Sequence, residues 1–443
     1  MSGSSRDVVP APVPDDDAHD PYGALRVPAF RWFVVSLLAM TIGIQIQGIA
    51  VAWQLYTATN DPLTLGLAGL AEVLPFLALS LPAGHWADRH DRKRLALIGI
   101  GALVLCAALF LAMTSGLHAG DAATRRTIGS TSWSSPTVIY AVLAVSGVAR
   151  AILQPARQAL ATMLVPTSLY VNATTWRSSI WQFASVIGPA IGGLLFAFAG
   201  ALPTYAVTFA LLVLSLGGMS MVRVPAVTHV AVPTASQGAG MLEGVRFVLR
   251  DKLVLAALSL DMFAVLFGGA TALLPVFTKT VLHVSPEWLG YLRASPAVGA
   301  VVMALVIAHQ PVIERAGRTL LIAVAAWGLS IIGFALSRNV WLSCALLAMG
   351  GAVDSISVVI RSTLLQTRTP PHVMGRVMAV NSIFIGSANE IGAFESGVTA
   401  KLFGAVNSVL IGGLATLAVV LAMALGSPTL RRLGRLHEPE KDA

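Results

Sequence analysis

Hydrophobic residues occur along this chain in long, nearly unbroken blocks. From Trp32 to Gly426 the blocks approach 20 residues in length, and short stretches rich in proline, glycine and charged residues separate them. A helix needs about 20 predominantly apolar residues to cross a hydrocarbon core about 30 Å thick. The pattern therefore predicts an all-α integral membrane protein that crosses the bilayer many times.

The blocks and the residues between them predict twelve transmembrane helices. The first six are predicted at 30–58, 63–84, 95–115, 137–163, 170–199 and 203–222. The second six are predicted at 253–281, 287–309, 319–337, 340–364, 376–400 and 405–426. Because the number is even, both termini are expected on the same side of the membrane.

Identical residues recur at a constant distance, which indicates an internal repeat. Residues 25, 26, 62, 65, 66 and 94 recur 224 positions later, as Leu249, Arg250, Pro286, Leu289, Gly290 and Arg318. After the third span the distance falls to 204, where Arg157, Leu160 and Pro166 are matched by Arg361, Leu364 and Pro370. A long polar segment at about 115–136 accounts for the change. We predict two pseudo-symmetric six-helix bundles with the substrate between them near the bilayer midplane.

Charge and composition set the predicted boundaries and the orientation. Only 11% of the 443 residues are charged, and roughly 20 of the 29 Lys and Arg residues fall in segments that are cytoplasmic if both termini are. The predicted units are a disordered cytoplasmic tail at 1–25, a bundle at 26–222, a linker with an amphipathic helix at 223–252, a bundle at 253–426 and a cytoplasmic tail at 427–443. We expect a multi-pass protein of the inner (cytoplasmic) membrane.

The net charge of +8 does not indicate a nucleic-acid partner, because the basic residues lie in short loops between spans. Cys106 and Cys344 lie inside apolar spans without partners at metal-ligand spacing, so we expect neither a metal nor a disulfide. No P-loop is present, which disfavours ATP as the energy source. We expect no enzymatic activity and no cofactor.

The densest charge cluster follows the second predicted span, with the spacing G-x-x-x-D-R-x-x-R-K-R from Gly84 to Arg94. This spacing resembles the loop between helices 2 and 3 of major facilitator superfamily transporters. The resemblance implies a conformational latch of Gly84, Asp88, Arg89 and Arg92, in which the glycine allows close helix approach and the carboxylate meets a helix end or an arginine. The alternative is that the basic residues only set the topology. The matching loop at 310–318 lacks the Asp-Arg pair, so the latch is expected to be one-sided.

The fifth predicted span contains Gly188, Pro189, Gly192 and Gly193, in the order G-P-x-x-G-G. This core resembles the motif of the superfamily's exporters. Proline and small residues kink a helix and let another pack closely, which suits a moving interface. The longer family pattern has glycine where Thr175 and Ala184 stand, and ordinary small-residue packing is the alternative.

Intramembrane charges are candidates for proton coupling, because ionisable groups are costly in the bilayer and usually face a cavity or a partner. Arg150 resembles the buried arginine that the superfamily's exporters carry in the fourth span; a structural ion pair is the alternative. Arg361 is closer to a helix end, where we expect it to extend to the surface. The acidic candidates are Glu72, Asp261, Asp354, Glu390 and Glu395, with Glu72 and Asp261 favoured and structural hydrogen bonds as the alternative.

Polar residues in the first and fifth spans are candidates for substrate contact. They are Gln45, Gln47 and Gln54 in the first span and Asn172, Arg177 and Gln182 in the fifth. About half of such residues are expected to form bonds between helices instead.

The run from Leu364 to Val377, together with Leu65-Gly66 and the G-x-x-x-D-R motif, resembles the enterobactin-exporter-like branch of the superfamily. The resemblance implies the major facilitator fold and a monomeric secondary transporter in the lipid bilayer. It implies proton-driven efflux of a small molecule by alternating access, either siderophore export or drug resistance through an amphipathic compound. The alternatives are an uptake permease and a transport-inactive receptor or scaffold.

Overall fold

A computed structural model describes residues 22–119, 135–224, 237–309, 314–370 and 373–434. Within these ranges every regular element is a helix, so the all-α prediction is confirmed. The predicted N-terminal tail before residue 22, the polar loop at 120–134, part of the linker at 225–236 and the end of the C-terminal tail lie outside the described residues.

The long helices follow one another in the predicted order. The first half contains α1 (Pro28–Thr59), α2 (Leu63–Arg89), α3 (Arg92–Ala119), α4 (Pro136–Met163), α5 (Tyr170–Ala199) and α6 (Ala201–Met221). The second half contains α7 (Lys252–Phe267), α8 (Glu287–Ala308), α9 (Ala316–Leu336), α10 (Val340–Arg368), α11 (Met374–Phe403) and α12 (Ala405–Gly426). A linker helix, Gln237–Arg250, precedes α7 and packs against α11.

Eleven helical segments in the described residues are long and apolar enough to cross a membrane. The 30-residue helix α11 is not among them, although it packs within the second half against α7 and α12. It carries Glu390 and Glu395 along with several other polar residues, which lower its hydropathy. The prediction of many spans is confirmed, but the count of exactly twelve is not supported by hydropathy alone.

The predicted seventh span at 253–281 matches a candidate span at Lys252–Val281, but its helix changes type part-way along. Helix α7 ends at Phe267 and is followed by a 3-10 turn at Gly269–Leu273 and a π turn at Phe277–Val281. At Gly268 the ring of Trp327 occupies the place where a Cβ would stand, and at Gly269 an added Cβ would lie 2.7 Å from the Gly392 carbonyl oxygen. The regular α-helix ends where Trp327 and Gly392 approach the backbone, and the apolar periodicity of the sequence does not reveal such contacts.

The two halves repeat the same set of helix contacts. In the first half α1 packs on α5 and α6, α2 on α4, and α3 on α4 and α6. In the second half α7 packs on α11 and α12, α8 on α10, and α9 on α10 and α12. Even single contacts repeat: a Cβ at Gly147 would overlap the backbone of Glu72, and one at Gly351 would overlap the backbone of Pro296. The pseudo-symmetric pair of bundles is confirmed.

The halves meet along two helix pairs, α2 with α11 and α5 with α8. A Cβ at Gly66 would lie 2.9 Å from the Cα of Phe394, and one at Gly193 would lie 2.5 Å from the Cα of Gly290. These contacts lie near the loops at Asn60, Gly200, His283 and Gly404, which we call the closed end.

A shared apolar cluster fills the closed end. It joins Ile49, Trp53, Tyr56 and Leu65 of the first half to Phe277, Leu289, Leu292 and Phe334 of the second. Because the surrounding lipid is itself apolar, the van der Waals contacts of these side chains, rather than their removal from water, add to the close backbone contacts. The structure is therefore one in which the halves are held together at one end of the molecule.

We predict that Gly147→Ala destabilises the fold, because its methyl group would overlap the backbone of Glu72. Overpacking of this kind typically costs about 1–3 kcal/mol, which exceeds the roughly 0.5–1 kcal/mol that alanine gains over glycine in a helix. The matched control is Gly217→Ala in α6, where an added Cβ meets nothing within 4 Å. Thermal unfolding in detergent should show a lower midpoint for the first variant only; equal shifts would refute the described packing.

Candidate functional site

Helices α2 and α4 bring a glutamate and an arginine together inside the first half. The Arg150 guanidinium lies 2.5 Å from Oε1 of Glu72, and the hydroxyl of Ser146 donates to the same oxygen at 3.2 Å. Gly147, between these two residues of α4, lets the helices approach closely enough for the contact. Arg150, predicted as an intramembrane charge, therefore has Glu72 as its partner.

The second half brings two further charged residues to the same place. The Oε2 atom of Glu390 on α11 lies 2.7 Å from the position of a Cβ on Gly69, one turn before Glu72. The carboxyl of Glu390 interacts electrostatically with Glu72, Arg150 and Arg293 of α8. We call Glu72, Arg150, Arg293 and Glu390 the interface cluster, since it spans the contact between the halves. Two acidic and two basic groups make it neutral when all are ionised.

Arg293 was missed by the sequence reasoning, although it lies well inside the eighth predicted span. Its guanidinium donates to the Thr271 carbonyl oxygen at 3.4 Å, next to the break after α7. A lone arginine two turns into an apolar helix is itself a signal, because such a charge normally faces a cavity or a partner.

A second charged group lies within the second half. Arg361 of α10 forms an ion pair with Asp261 of α7, and each side chain is only 7% exposed. Asp354, two turns before Arg361 on α10, also interacts with this arginine. The expectation that Arg361 extends to the surface is wrong, because Asp261 holds its charge inside the bundle.

Asp354 lies between the Asp261–Arg361 pair and a cavity. It lines a small cavity with Asp261 and Trp327, and also a neighbouring cavity of about 200 Å³. The larger cavity reaches Asn389, next to Glu390 of the interface cluster. Four of the five predicted acidic candidates thus fall into two groups: Glu72 and Glu390 lie at the interface between the halves, whereas Asp261 and Asp354 lie inside the second half. The fifth, Glu395, accepts a hydrogen bond from Ser396.

The repeat register relates the two charged groups. Position 354 corresponds to 150, so an aspartate in the second half stands where the first half has an arginine. Position 361 corresponds to 157, where both halves have arginine. The backbones repeat, but the charge at the central position of the fourth helix of each half is reversed.

The G-x-x-x-D-R motif lies at the end of α2 and the start of α3. A Cβ at Gly84 would meet no described atom within 4 Å, so this conformation does not show the close approach expected there. Arg89 is exposed, and Arg92 donates to the sulfur of Met163 on α4 at 2.9 Å. The side chain of Asp88 lies outside the described part of the molecule, and the latch stays a prediction.

The G-P-x-x-G-G motif of α5 makes close contacts on two sides. An added Cβ at Gly188 would lie 2.6 Å from Cβ of Gln45 on α1, and one at Gly192 would lie 3.0 Å from Cα of Ile46. Gly193 faces Gly290 of α8, whose own added Cβ would lie 2.7 Å from the Pro189 carbonyl oxygen. The predicted close packing is present, and it joins α5 both to its own half and to the other half.

The candidate substrate residues have different environments. Gln54 accepts a hydrogen bond from Tyr205 at 2.8 Å and so joins α1 to α6. Gln45 lies beside Gly188, and Gln182 is half-buried on α5. Arg177 forms no hydrogen bond or ion pair with any residue that the structure describes. Of these, Arg177 is the most available to a ligand.

At the closed end two polar contacts also cross between the halves. Lys401 Nζ lies 2.7 Å from Oδ2 of Asp61, and Lys279 Nζ donates to Oδ1 of Asn60 at 2.7 Å. Burial raises the pKa of Asp61, but the hydrogen bond from Lys401, the backbone N–H of Leu63 and the charge of Lys401 together hold it below the ordinary 3.8.

Comparison with known proteins decides the family. The sequence model of the Major Facilitator Superfamily matches residues 33–393, most of the chain. The chain belongs to this family. This Major Facilitator Superfamily protein is therefore a multi-pass membrane transporter, which agrees with the many apolar helices and the paired bundles.

Its similarity extends to curated relatives called enterobactin exporter EntS. The protein from Escherichia coli O1:K1 is 25% identical over 411 residues, which cover 91% of this chain and 93% of the relative. The one from Citrobacter koseri is 26% identical over the same length, and that from Salmonella typhimurium is 25% identical over 423 residues, 94% of this chain and 96% of the relative.

Solved structures share the fold at low sequence identity. A D-xylose–proton symporter matches with a TM-score of 0.67 at 13% identity, covering 91% of this chain and 99% of that one. A bacterial homologue of the iron transporter ferroportin, in an inward-facing state, matches with a TM-score of 0.64 at 16% identity over 90% and 99%. These likenesses support the major facilitator fold.

We predict that Asp61→Asn in this transporter weakens the closed end slightly and equally at about pH 5 and 8. An exposed ion pair contributes at most about 1 kcal/mol, a roughly fivefold change in population. Because the pKa of Asp61 is lowered, the contribution is present above 3.8 and is lost only as the pH falls below that value. Spin labels at Phe198 of α5 and Leu402 of α11 would report the distance between the two halves at the closed end. An effect seen at pH 8 but not at pH 5 would contradict the assignment of a lowered pKa to Asp61.

Proposed function

We propose that this transporter is a proton-driven exporter of a small organic compound from the cytoplasm across the inner membrane. The curated relatives are called enterobactin exporters, which favours a siderophore-like compound over other cargo. The small-residue packing of α5 against α1 and α8 supports an exporter motif at Gly188, Pro189, Gly192 and Gly193.

The distribution of basic residues supports a cytoplasmic location for both termini. With that orientation the closed end faces outward, and the described conformation accepts its substrate from the cytoplasm. Alternating access then requires the α2–α11 and α5–α8 contacts near the closed end to separate while the opposite end closes. The predicted latch of Gly84, Asp88, Arg89 and Arg92 lies at that opposite end, where it would act on the alternate state.

The position of the interface cluster is the observation that supports proton coupling. Glu390 belongs to the second half, whereas Glu72 and Arg150 belong to the first, so motion between the halves changes the distances among these charges. A carboxyl group in a low-dielectric interior can exchange its proton when nearby charges move. The proton site is therefore assigned to the α2–α11 contact.

An antiport cycle follows from this placement. Glu390 releases its proton to the cytoplasmic side while the cluster is assembled, since Arg150 and Arg293 then balance the two carboxylates. When the closed end separates, Glu390 leaves Arg150 and takes up a proton from outside. Glu72 positions Arg150, the Asp261–Arg361 pair holds α7 to α10, and Asp354 is a second candidate for proton exchange.

We predict that Glu390→Gln abolishes proton-driven export, because the amide cannot exchange the proton. In everted membrane vesicles with an imposed pH gradient, uptake of enterobactin should fall at least about tenfold, as is usual when a group that transfers a proton is removed. Exchange of enterobactin across the membrane without a gradient should continue, since the substitution leaves the helices in place.

The matched control is Glu395→Gln, five residues further along α11, whose carboxylate accepts a hydrogen bond from the Ser396 hydroxyl at 3.5 Å and belongs to no ion pair among the described residues. It should transport as the unmodified protein does. If Glu390→Gln keeps gradient-driven uptake, the proton site is wrong. If enterobactin and protons move in the same direction, the protein is an uptake permease, and the export proposal fails.

A further inference from the structure

Two arginines in the first half have no oppositely charged partner among the described residues. Arg157 of α4 and Arg177 of α5 form no hydrogen bond or ion pair with any residue that the structure describes. The charges that act on Arg157 are those of Arg177 and Arg150, both positive. Placing uncompensated cations within a membrane protein is costly, so such residues normally face a water-filled space or a ligand.

The two arginines lie at matching depths. Arg157 is six residues before the end of α4 at Met163, and Arg177 is seven residues after the start of α5 at Tyr170. At 1.5 Å per residue both lie about 10 Å inside the helix ends that are opposite the closed end. Arg157 is also two turns from Arg150 on the same face of α4. The pair therefore lies between the interface cluster and the end of the molecule away from the closed contacts.

In the second half, the arginine at the position equivalent to Arg157 has an acidic partner. Arg361 corresponds to Arg157 in the repeat, and Asp261 pairs with it inside the bundle. The position in the first half that corresponds to Asp261 is Leu37, which is 4% exposed in an apolar cluster. The first half has the arginine without its acid.

The interface cluster does not supply the missing negative charge. Its acids, Glu72 and Glu390, are balanced by Arg150 and Arg293. Arg157 and Arg177 therefore add two positive charges that the acids of the interface cluster do not neutralise. A ligand with negative charge would complete the site, because guanidinium groups hydrogen-bond carboxylates and phosphates strongly.

We propose that Arg157 and Arg177 form the site that selects an organic anion as the exported compound, by binding its carboxylate, phosphate or other acidic oxygens. This specifies the substrate class of the proposed exporter and rests on that function. A phospholipid headgroup offers the same chemistry, and the experiment below separates the two sources. The two like charges repel cationic compounds of the same shape, and neutral compounds lack the charge attraction that the anion has.

The first test measures the charge of the site without requiring transport. Gln154 lies between Arg150 and Arg157 on α4, so Gln154→Cys in a chain with Cys106 and Cys344 replaced by serine places a thiol beside the pair. Sulfonate-bearing and trimethylammonium-bearing methanethiosulfonates are compared by their reaction rates. Arg157→Gln should lower the anion-to-cation rate ratio about tenfold. Arg157→Lys should keep the ratio, as should Arg250→Gln on the exposed linker helix.

The second test measures binding with a matched pair of probes. In phosphatidylcholine nanodiscs, 2-naphthoate should slow N-ethylmaleimide labelling of the Gln154→Cys thiol at least about fivefold, whereas neutral 2-naphthamide should not. Protection should disappear in Arg157→Gln and in Arg177→Gln. It should also disappear in Leu37→Asp, which supplies the acid that the second half has in Asp261; a circular-dichroism melt checks that this variant folds.

The possible results distinguish a failure of the proposed anion site from a failure of the proposed export function. Equal protection by the naphthamide, or protection that survives loss of both arginines, overturns the anion site. If phosphatidylglycerol alone protects the thiol as well as naphthoate does, the site belongs to a lipid headgroup and the substrate assignment is overturned. Protection by naphthoate together with no enterobactin flux in the unmodified protein would leave the anion site standing and reject the proposed export.

Discussion

Direct backbone contact at glycines is the constraint on which the charged site depends. Gly147 allows α4 to lie against the backbone of Glu72, which brings Arg150 within ion-pair distance of that glutamate. Gly66 allows the backbone of α11 to lie against α2, which brings Glu390 to the same charges, with its Oε2 atom beside Gly69. A larger side chain at Gly147 or Gly66 would move the helices apart. The electrostatics of the transporter therefore depend on positions that carry no charge and no hydrogen-bonding side chain.

The repeat gives two bundles with one backbone plan and different polar contents. The first half combines an Arg150–Glu72 pair with Arg157 and Arg177, which no described acid pairs with, whereas the second half buries an Asp261–Arg361 pair beside a further acid, Asp354. Because the contacts between helices are conserved by the repeat, the charge differences do not alter the fold. They leave the first half with more arginines than acids and the second half with more acids than arginines among these groups.

Sequence patterns predicted the helices, the repeat register and the packing role of the glycines in α5, because length, apolar content and small residues act locally. They also identified Arg150 and Glu390 as charges within spans. They did not predict that Glu72 is the partner of Arg150, that Arg361 is buried against Asp261, or that Arg293 joins the interface cluster. Those facts depend on which helix faces which, and a single sequence does not report it. The end of the α-helix at Phe267 was missed for the same reason, since the groups that approach the backbone there, Trp327 and Gly392, lie far away in the sequence.

Gly200 and Gly404 occupy equivalent positions of the repeat, with φ of 80° and 86°, and each is the single residue between two long helices. Such a one-residue connection has no slack, and its left-handed backbone favours glycine over any residue with a side chain. Helix α6 must therefore follow α5 through any movement, and α12 must follow α11. Helices α5 and α11, which contact the other half, therefore move α6 and α12 with them, and both of these carry exposed apolar side chains such as Leu214 and Leu421. The surrounding bilayer must adapt to that movement, so its thickness and stiffness contribute to the energy needed to change conformation.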